Sequence, residues 1–340
     1  MKIKILALFL TAIMLLGSCA SKSAAEYTFS PNEDARLVIY TSHKQEIYGP
    51  IIKEFEERTG IWVQVVDGGT SELLERIESE KDAPDADLMF GGGIESLRAC
   101  SDCFESYTCG ELPYIKASLI PEDNLWTPFS VIPMVIIYNK KLVAQNEVAG
   151  WQDLLLEQWR GKIAFADPNT SGSSYTAVMT MIQCLDKDQT TVVERFAGNL
   201  KDNYLLPRSG DVISKVENGS MYLGVTLEEI ALKHLADGAD IGIIYPAEGT
   251  SAVPDGSAII KNARHMANAK LFLDFVSSRE VQQTIADKHF RRSVRTDVKV
   301  QENMLAEDKI KLIDYDIQWA SEQKAAFSQK WLALFMEAPK

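Results

Sequence analysis

The chain has 340 residues, 46% of them apolar, and a formal charge of −13. One core usually stops growing at roughly 250–300 residues, so two lobes are expected. A surface this acidic repels nucleic acid and anionic lipid surfaces, which argues against both as partners of the folded part.

Lys2 and Lys4 precede an apolar run from Ile5 to Leu16. A positive start followed by a run too short to span a bilayer reads as a secretory signal over residues 1–18. Leu16-Gly17-Ser18-Cys19 resembles a bacterial lipobox. That resemblance implies cleavage before Cys19 and lipid attachment to its sulfur. Residues 19–35 are small and polar and read as a tether. The expected location is outside the cytoplasm, in the periplasm or on the outer face of the cell membrane, with the lipid as anchor.

Regular structure is expected from Leu37. Leu37–Tyr40 is a short β-branched run, read as a strand ending at Thr41-Ser42-His43. Ile47, Ile51, Ile52 and Phe55 recur at helical spacing, and Gly60 stops that helix. Ile61–Val66 is a second strand. It ends at Asp67-Gly68-Gly69-Thr70-Ser71, which opens a helix through Ile77. Asp87–Phe90 is a third strand and enters Gly91-Gly92-Gly93. Strand, loop and helix repeated three times predict a parallel sheet with covering helices. Loops at the carboxyl ends of such strands gather at one edge, where ligands bind.

Phe129–Tyr138, interrupted by Pro133, reads as a crossing to a second lobe. Lys162–Phe165 is a strand ending at the loop Asp167–Ser174, and a helix starts near Tyr175. Tyr222–Val225 is a strand, followed by a helix from Leu227 to Leu235. Ile241–Tyr245 is another strand, and Gly249–Ile260 reads as the return crossing. From Asn268 onward the pattern is amphipathic helix. The expected organisation is an α/β chain of two lobes, with residues 36–130 and 251–340 in the first and 131–250 in the second.

The chain has no G-x-S-x-G elbow, no H-E-x-x-H and no P-loop, so nothing in it argues for catalysis or a cofactor. His234 falls on a helix, and His265 and His289 sit among charged residues and read as solvated. Cys100, Cys103 and Cys109 lie within ten residues. They read as a local disulfide or as free thiols, and less readily as a metal site completed by Cys184. The informative feature is four hydroxyl- and glycine-rich loops at strand ends. Helix N-termini offer free N–H groups and partial positive charge, glycine lets the backbone come close, and Ser and Thr add donors. Together these parts make an anion site. Its candidate residues are Ser42, His43, Gly69, Thr70, Gly92, Thr170, Ser171, Gly172 and Ser173. Lys44, at an edge, is the one cation in these loops.

Leu37-Val-Ile-Tyr-Thr-Ser42, Phe55-Glu-Glu-Arg-Thr-Gly60 and Val63-Gln-Val-Val-Asp-Gly-Gly-Thr-Ser-Glu-Leu-Leu74 resemble the bacterial extracytoplasmic solute-binding proteins of the ferric-iron-binding type. So do Asp87-Leu-Met-Phe-Gly-Gly-Gly93, Trp159-Arg-Gly-Lys-Ile-Ala-Phe-Ala-Asp-Pro168 and Tyr245-Pro-Ala-Glu-Gly-Thr250. The resemblance implies a two-lobed periplasmic-binding-protein fold of class II, with two crossing strands as hinge. It also implies a monomer that delivers a small solute to an ABC transporter permease. Ferric-binding members carry paired tyrosines with a histidine and a glutamate. Here His43 and Tyr222 match, and the second tyrosine and the glutamate do not. Relatives that bind phosphorylated sugars, phosphoglycerate or aminoethylphosphonate hold phosphate with hydroxyls and backbone N–H groups. A phosphorylated or phosphonate compound is therefore the expected ligand, with Fe3+ held by His43 and Tyr222 as the alternative. Tyr222, Thr226, Glu228 and Glu248 are the polar candidates for reading the organic part. A ligand-sensing subunit of a signalling system and a hydrolase on the same fold are the readings from other classes.

Overall fold

The computed structural model describes residues 32–185, 189–200 and 205–336. The signal and Cys19 lie outside these residues. Two separate sheets organise the rest. The first contains β1 (Arg36–Thr41), β2 (Trp62–Asp67), β3 (Leu88–Gly93), β4 (Phe104–Glu105) and β5 (Thr127–Val131), and later β10 (Pro254–Ile260) and β11 (Arg292–Ser293). Its order is β11-β5-β10-β3-β1-β2, with β4 pairing β10. The second sheet runs β7-β8-β6-β9, from β6 (Met134–Asn139), β7 (Ile163–Ala164), β8 (Leu223–Leu227) and β9 (Ile241–Ile244).

The first three strands pair in parallel, β1 between β2 and β3, as the repeated strand–helix rhythm requires. Both sheets are nonetheless mixed. β10 runs antiparallel to β3 and β5, and β6 runs antiparallel to β8 and β9. The apolar run Phe129–Tyr138 divides at Ile132-Pro133. Proline lacks the N–H that a continuous ladder needs. β5 therefore ends in the first sheet and β6 begins in the second, with every residue of both buried.

Helices cover the sheets. α1 (Gln45–Thr59), α2 (Thr70–Ser79) and α3 (Ile94–Ala99) follow β1, β2 and β3. The second sheet carries α4 (Gly172–Leu185), α5 (Gln189–Leu200), α6 (Val212–Glu217) and α7 (Glu228–Ala236). After β10 come α8 (Met266–Ser277), α9 (Arg279–His289) and α10 (Ile317–Met336). Phe55, Phe90, Phe129 and Phe272 centre one core. Trp151, Phe165 and Phe196 centre another.

α10 departs from the expected division of the chain. Its side chains Ala320, Phe327 and Trp331 complete the second lobe's core. Ile317 and the preceding Tyr315 pack on the first lobe, and Lys324 Nζ donates to Ser96 Oγ of α3 at 2.7 Å. An apolar stripe in sequence does not reveal that its two ends face different cores.

Other expectations also change. His265 is half-buried rather than solvated, with Nδ1 2.8 Å from Asp87 Oδ2. Cys100, Cys103, Cys109 and Cys184 are free thiols. Cys100 and Cys103 face each other, and Cys184 Sγ donates to Gly249 O at 3.2 Å.

Candidate functional site

The loops at the carboxyl ends of β1, β2, β3 and β7 line one cleft of about 400 Å³ between the sheets. Ser42, His43, Gly69, Thr70 and Gly92 form part of one wall, and Thr170, Ser171, Gly172 and Ser173 part of the other. Thr41 Oγ1 donates to Phe90 O at 2.7 Å and accepts from His43 N–H at 3.1 Å, which fixes the β1 loop against β3. Ser171 caps α4, its Oγ accepting from Ser174 N–H at 3.3 Å. Ser173 Oγ lies 3.2 Å from Ser171 Oγ, so the hydroxyls cluster at the first turn of the helix.

The two walls are in contact. A Cβ at Gly69 would lie 2.7 Å from Thr170 O, and one at Gly172 would lie 3.0 Å from Thr70 Oγ1. The N-terminal turns of α2 and α4 therefore meet face to face, and only glycine permits so close an approach. Lys44 packs on Gly210 from the other lobe. At the rim, Lys233 of α7 pairs with Glu46 of α1.

Charged residues form the back of the cleft. Asp255 Oδ1 accepts from Ser130 N–H and Oγ–H, both at 2.7 Å. Arg291 donates to Asp255 Oδ2 and to Glu229 Oε1, each at 2.8 Å. Next to it, Arg292 grips Glu228 bidentately at 2.7 and 2.8 Å. Glu228 and Glu229 open α7 in the second lobe, so two tandem arginines meet two tandem glutamates across the lobes. His43 Nε2 lies 3.4 Å from Asp255 Oδ2, with its ring against Phe90 and Phe129. Gly91 stands at φ +92°, and a Cβ there would come within 2.6 Å of His43 Nε2.

The sequence profile described as "Bacterial extracellular solute-binding protein" matches residues 83–318. The chain belongs to that family. Its fold is that of the periplasmic binding proteins. A solved structure similar to this solute-binding protein is the periplasmic binding protein AfuA from Actinobacillus pleuropneumoniae with fructose-6-phosphate bound. The two are 26% identical with a TM-score of 0.83, over 89% of this chain and 99% of that one. Iron uptake protein A1 of Synechocystis sp. is 24% identical over 85% of this chain and 84% of its own. A 2-aminoethylphosphonate-binding periplasmic protein of Salmonella typhi, itself a putative assignment, is 24% identical over 72% of this chain and 73% of its own. Proteins of this family act outside the cytoplasm, bind a solute and deliver it to an ABC permease.

In this solute-binding protein the remaining sequence candidates have other places. Tyr222 is half-buried against the second core, under Lys162 Nζ at 5.2 Å from its ring. Thr226 is fully buried on β8, one residue before Leu227 of the cleft. Glu228 is held by Arg292 and by Tyr245 Oη–H at 2.5 Å. Glu248 accepts from Trp151 N–H at 3.1 Å and Gln152 N–H at 2.8 Å, capping a turn. None of the four lines the cleft. Tyr222 is thus not beside His43 as an iron pair requires.

Arg208, Ser209, Asp67, Asp255 and Arg291 do line it, and sequence reasoning missed them. Pro207-Arg208-Ser209-Gly210 carried the hydroxyl-and-glycine signature of the other loops but followed no recognised strand. Arg291 and Asp255 gave no signal, because nothing in a linear sequence pairs them.

Burial, and then the Arg291 charge, hold the His43 pKa well below the ordinary histidine value. Both effects favour the neutral imidazole. Burial opposes the Arg291 charge, but Glu229 and Asp255 more than offset it, so its pKa lies above the ordinary value.

Proposed function

We propose that this protein captures a small organic phosphate or phosphonate and delivers it to its permease. The carrying observation is the meeting of two helix N-termini, with Thr70, Ser171 and Ser173, in a cleft of about 400 Å³ that Arg208 and Lys44 also line. That volume suits a small organic molecule. Amides and hydroxyls at helix starts are donors to an anion, and each charge-assisted hydrogen bond contributes about 1.5–3 kcal/mol. The ligands named for the AfuA structure and the aminoethylphosphonate-binding relative carry phosphate and phosphonate groups.

Ferric iron, the reading that the iron-uptake relative suggests, needs several anionic oxygen donors. Among the described residues the cleft lining contains no tyrosine, and Asp255 already serves Ser130 and Arg291. Lipid attachment at Cys19 belongs to the same proposal and would keep a monomeric receptor near its permease.

A thermal-shift screen with fructose 6-phosphate, 2-aminoethylphosphonate, inorganic phosphate and ferric citrate tests the reading. Stabilisation by an organic phosphate or phosphonate is expected, weakened at least about tenfold in the S171A/S173A variant by calorimetry. Stabilisation by ferric citrate alone, or unchanged affinity in that variant, overturns it. For the anchor, Cys19→Ala should move the protein from the membrane to the soluble fraction.

A further inference from the structure

Glu95 stands behind the cleft and joins its two walls. It follows Gly93 into α3 and is fully buried. From the other lobe, Thr176 of α4, a cleft-lining residue, is hydrogen-bonded to Glu95 Oε1. Glu95 Oε2 has no hydrogen-bond partner among the described residues. Thr176 Oγ1 also lies 3.1 Å from Gly172 O, the i−4 back-bond of a helical threonine.

A hydroxyl carries one hydrogen. That hydrogen serves only one of Glu95 Oε1 and Gly172 O at a time, and a proton on the carboxyl supplies the second bond. A carboxylate here would be a buried charge with one oxygen unsatisfied, which is costly. The nearby ammonium does not relieve it, because Lys324 turns its Nζ to Ser96 Oγ at 2.7 Å. Burial raises the Glu95 pKa, and the Thr176 bond, Glu95's own amide and the Lys324 charge do not cancel that rise. Tyr175 of α4 and Tyr315, just before α10, face the same carboxyl and ionise only at strongly alkaline pH. Glu75 and Cys100 act on Lys324.

We propose that Glu95 is a positioning residue: its neutral carboxyl docks the anion-facing turn of α4 onto α3, so closing the cleft takes up a proton. When the lobes part, Thr176 leaves and water reaches the carboxyl, which returns toward its ordinary titration range. The closed form then holds a proton that the open form releases. Affinity is full below the ordinary carboxylate range. It falls as pH rises through that range toward the raised closed-form value, by up to about tenfold per pH unit.

The inference rests on the proposed function for its probe, fructose 6-phosphate. Calorimetry across pH should show a steeper loss of affinity in the wild type than in E95Q, whose amide donates to Thr176 at any pH. The titration of the phosphate itself is common to both and drops out of the comparison. Net proton uptake, read in buffers of different ionisation enthalpy, should fall in E95Q, and E95A should bind weakly at every pH. Binding with identical pH slopes in wild type and E95Q overturns the role of Glu95. Absence of binding to every variant overturns the phosphate reading instead. The ligand-free protein then decides on Glu95. Small-angle scattering should show it closing as pH falls through the ordinary carboxylate range in the wild type and not in E95Q, and an identical response in both overturns the proposal.

Discussion

At the residue scale, the cleft combines groups that sequence reveals with groups that it hides. Thr70, Ser171 and Ser173 were legible because a hydroxyl beside glycine at a strand end has few other uses than capping or binding. Asp255, Ser130, Arg291 and Glu229 were not, because their meaning lies in a pairing made by distant segments. Arg291 is 4% exposed and balances two buried carboxylates. Removing it as Arg291→Met leaves both unpaired and should cost about 3–5 kcal/mol in urea unfolding. His43 gives a pH signature. Its folded pKa is depressed, so its contribution to stability is complete above the ordinary histidine value of about 6.5 and is lost as pH falls below it. His43→Asn should flatten the part of the stability–pH curve just below that value.

At the scale of elements, the strand–helix repeats were readable because each strand is a short, mostly apolar run closed by turn residues. Their partners were not. β10 is buried throughout although it opens with Pro254, Asp255, Gly256 and Ser257, and nothing in that pattern tells an antiparallel partner from a parallel one. The helix starts offer a clean test of closure. Gly69 has φ −70° and ψ 145°, so alanine fits the backbone there without strain. Its Cβ nevertheless meets Thr170 O of the opposite lobe. Gly69→Ala should leave the melting temperature of the ligand-free protein nearly unchanged and weaken ligand binding at least about tenfold. An equal loss in both would place the effect in folding instead.

For the whole molecule, two lobes followed from length, and the first crossing followed from Pro133. The path of α10 did not, since one helical stripe serves two cores. Phe327 is buried in the second lobe on a helix that also bonds to Ser96 of the first. Phe327→Ala should cost about 3–5 kcal/mol in urea unfolding.

The helix that belongs to both cores also sets how the cleft moves. With two crossing segments and α10 all joining the lobes, any opening of the cleft has to pivot on those connections. Displacement grows with distance from that pivot, so the mouth travels furthest for a given rotation. The mouth is held by Lys233 and Glu46, an exposed ion pair whose contribution is about 0–1 kcal/mol. That clasp resists parting little, so it is the buried pairs of Arg291 with Glu229 and Arg292 with Glu228 that hold the lobes together.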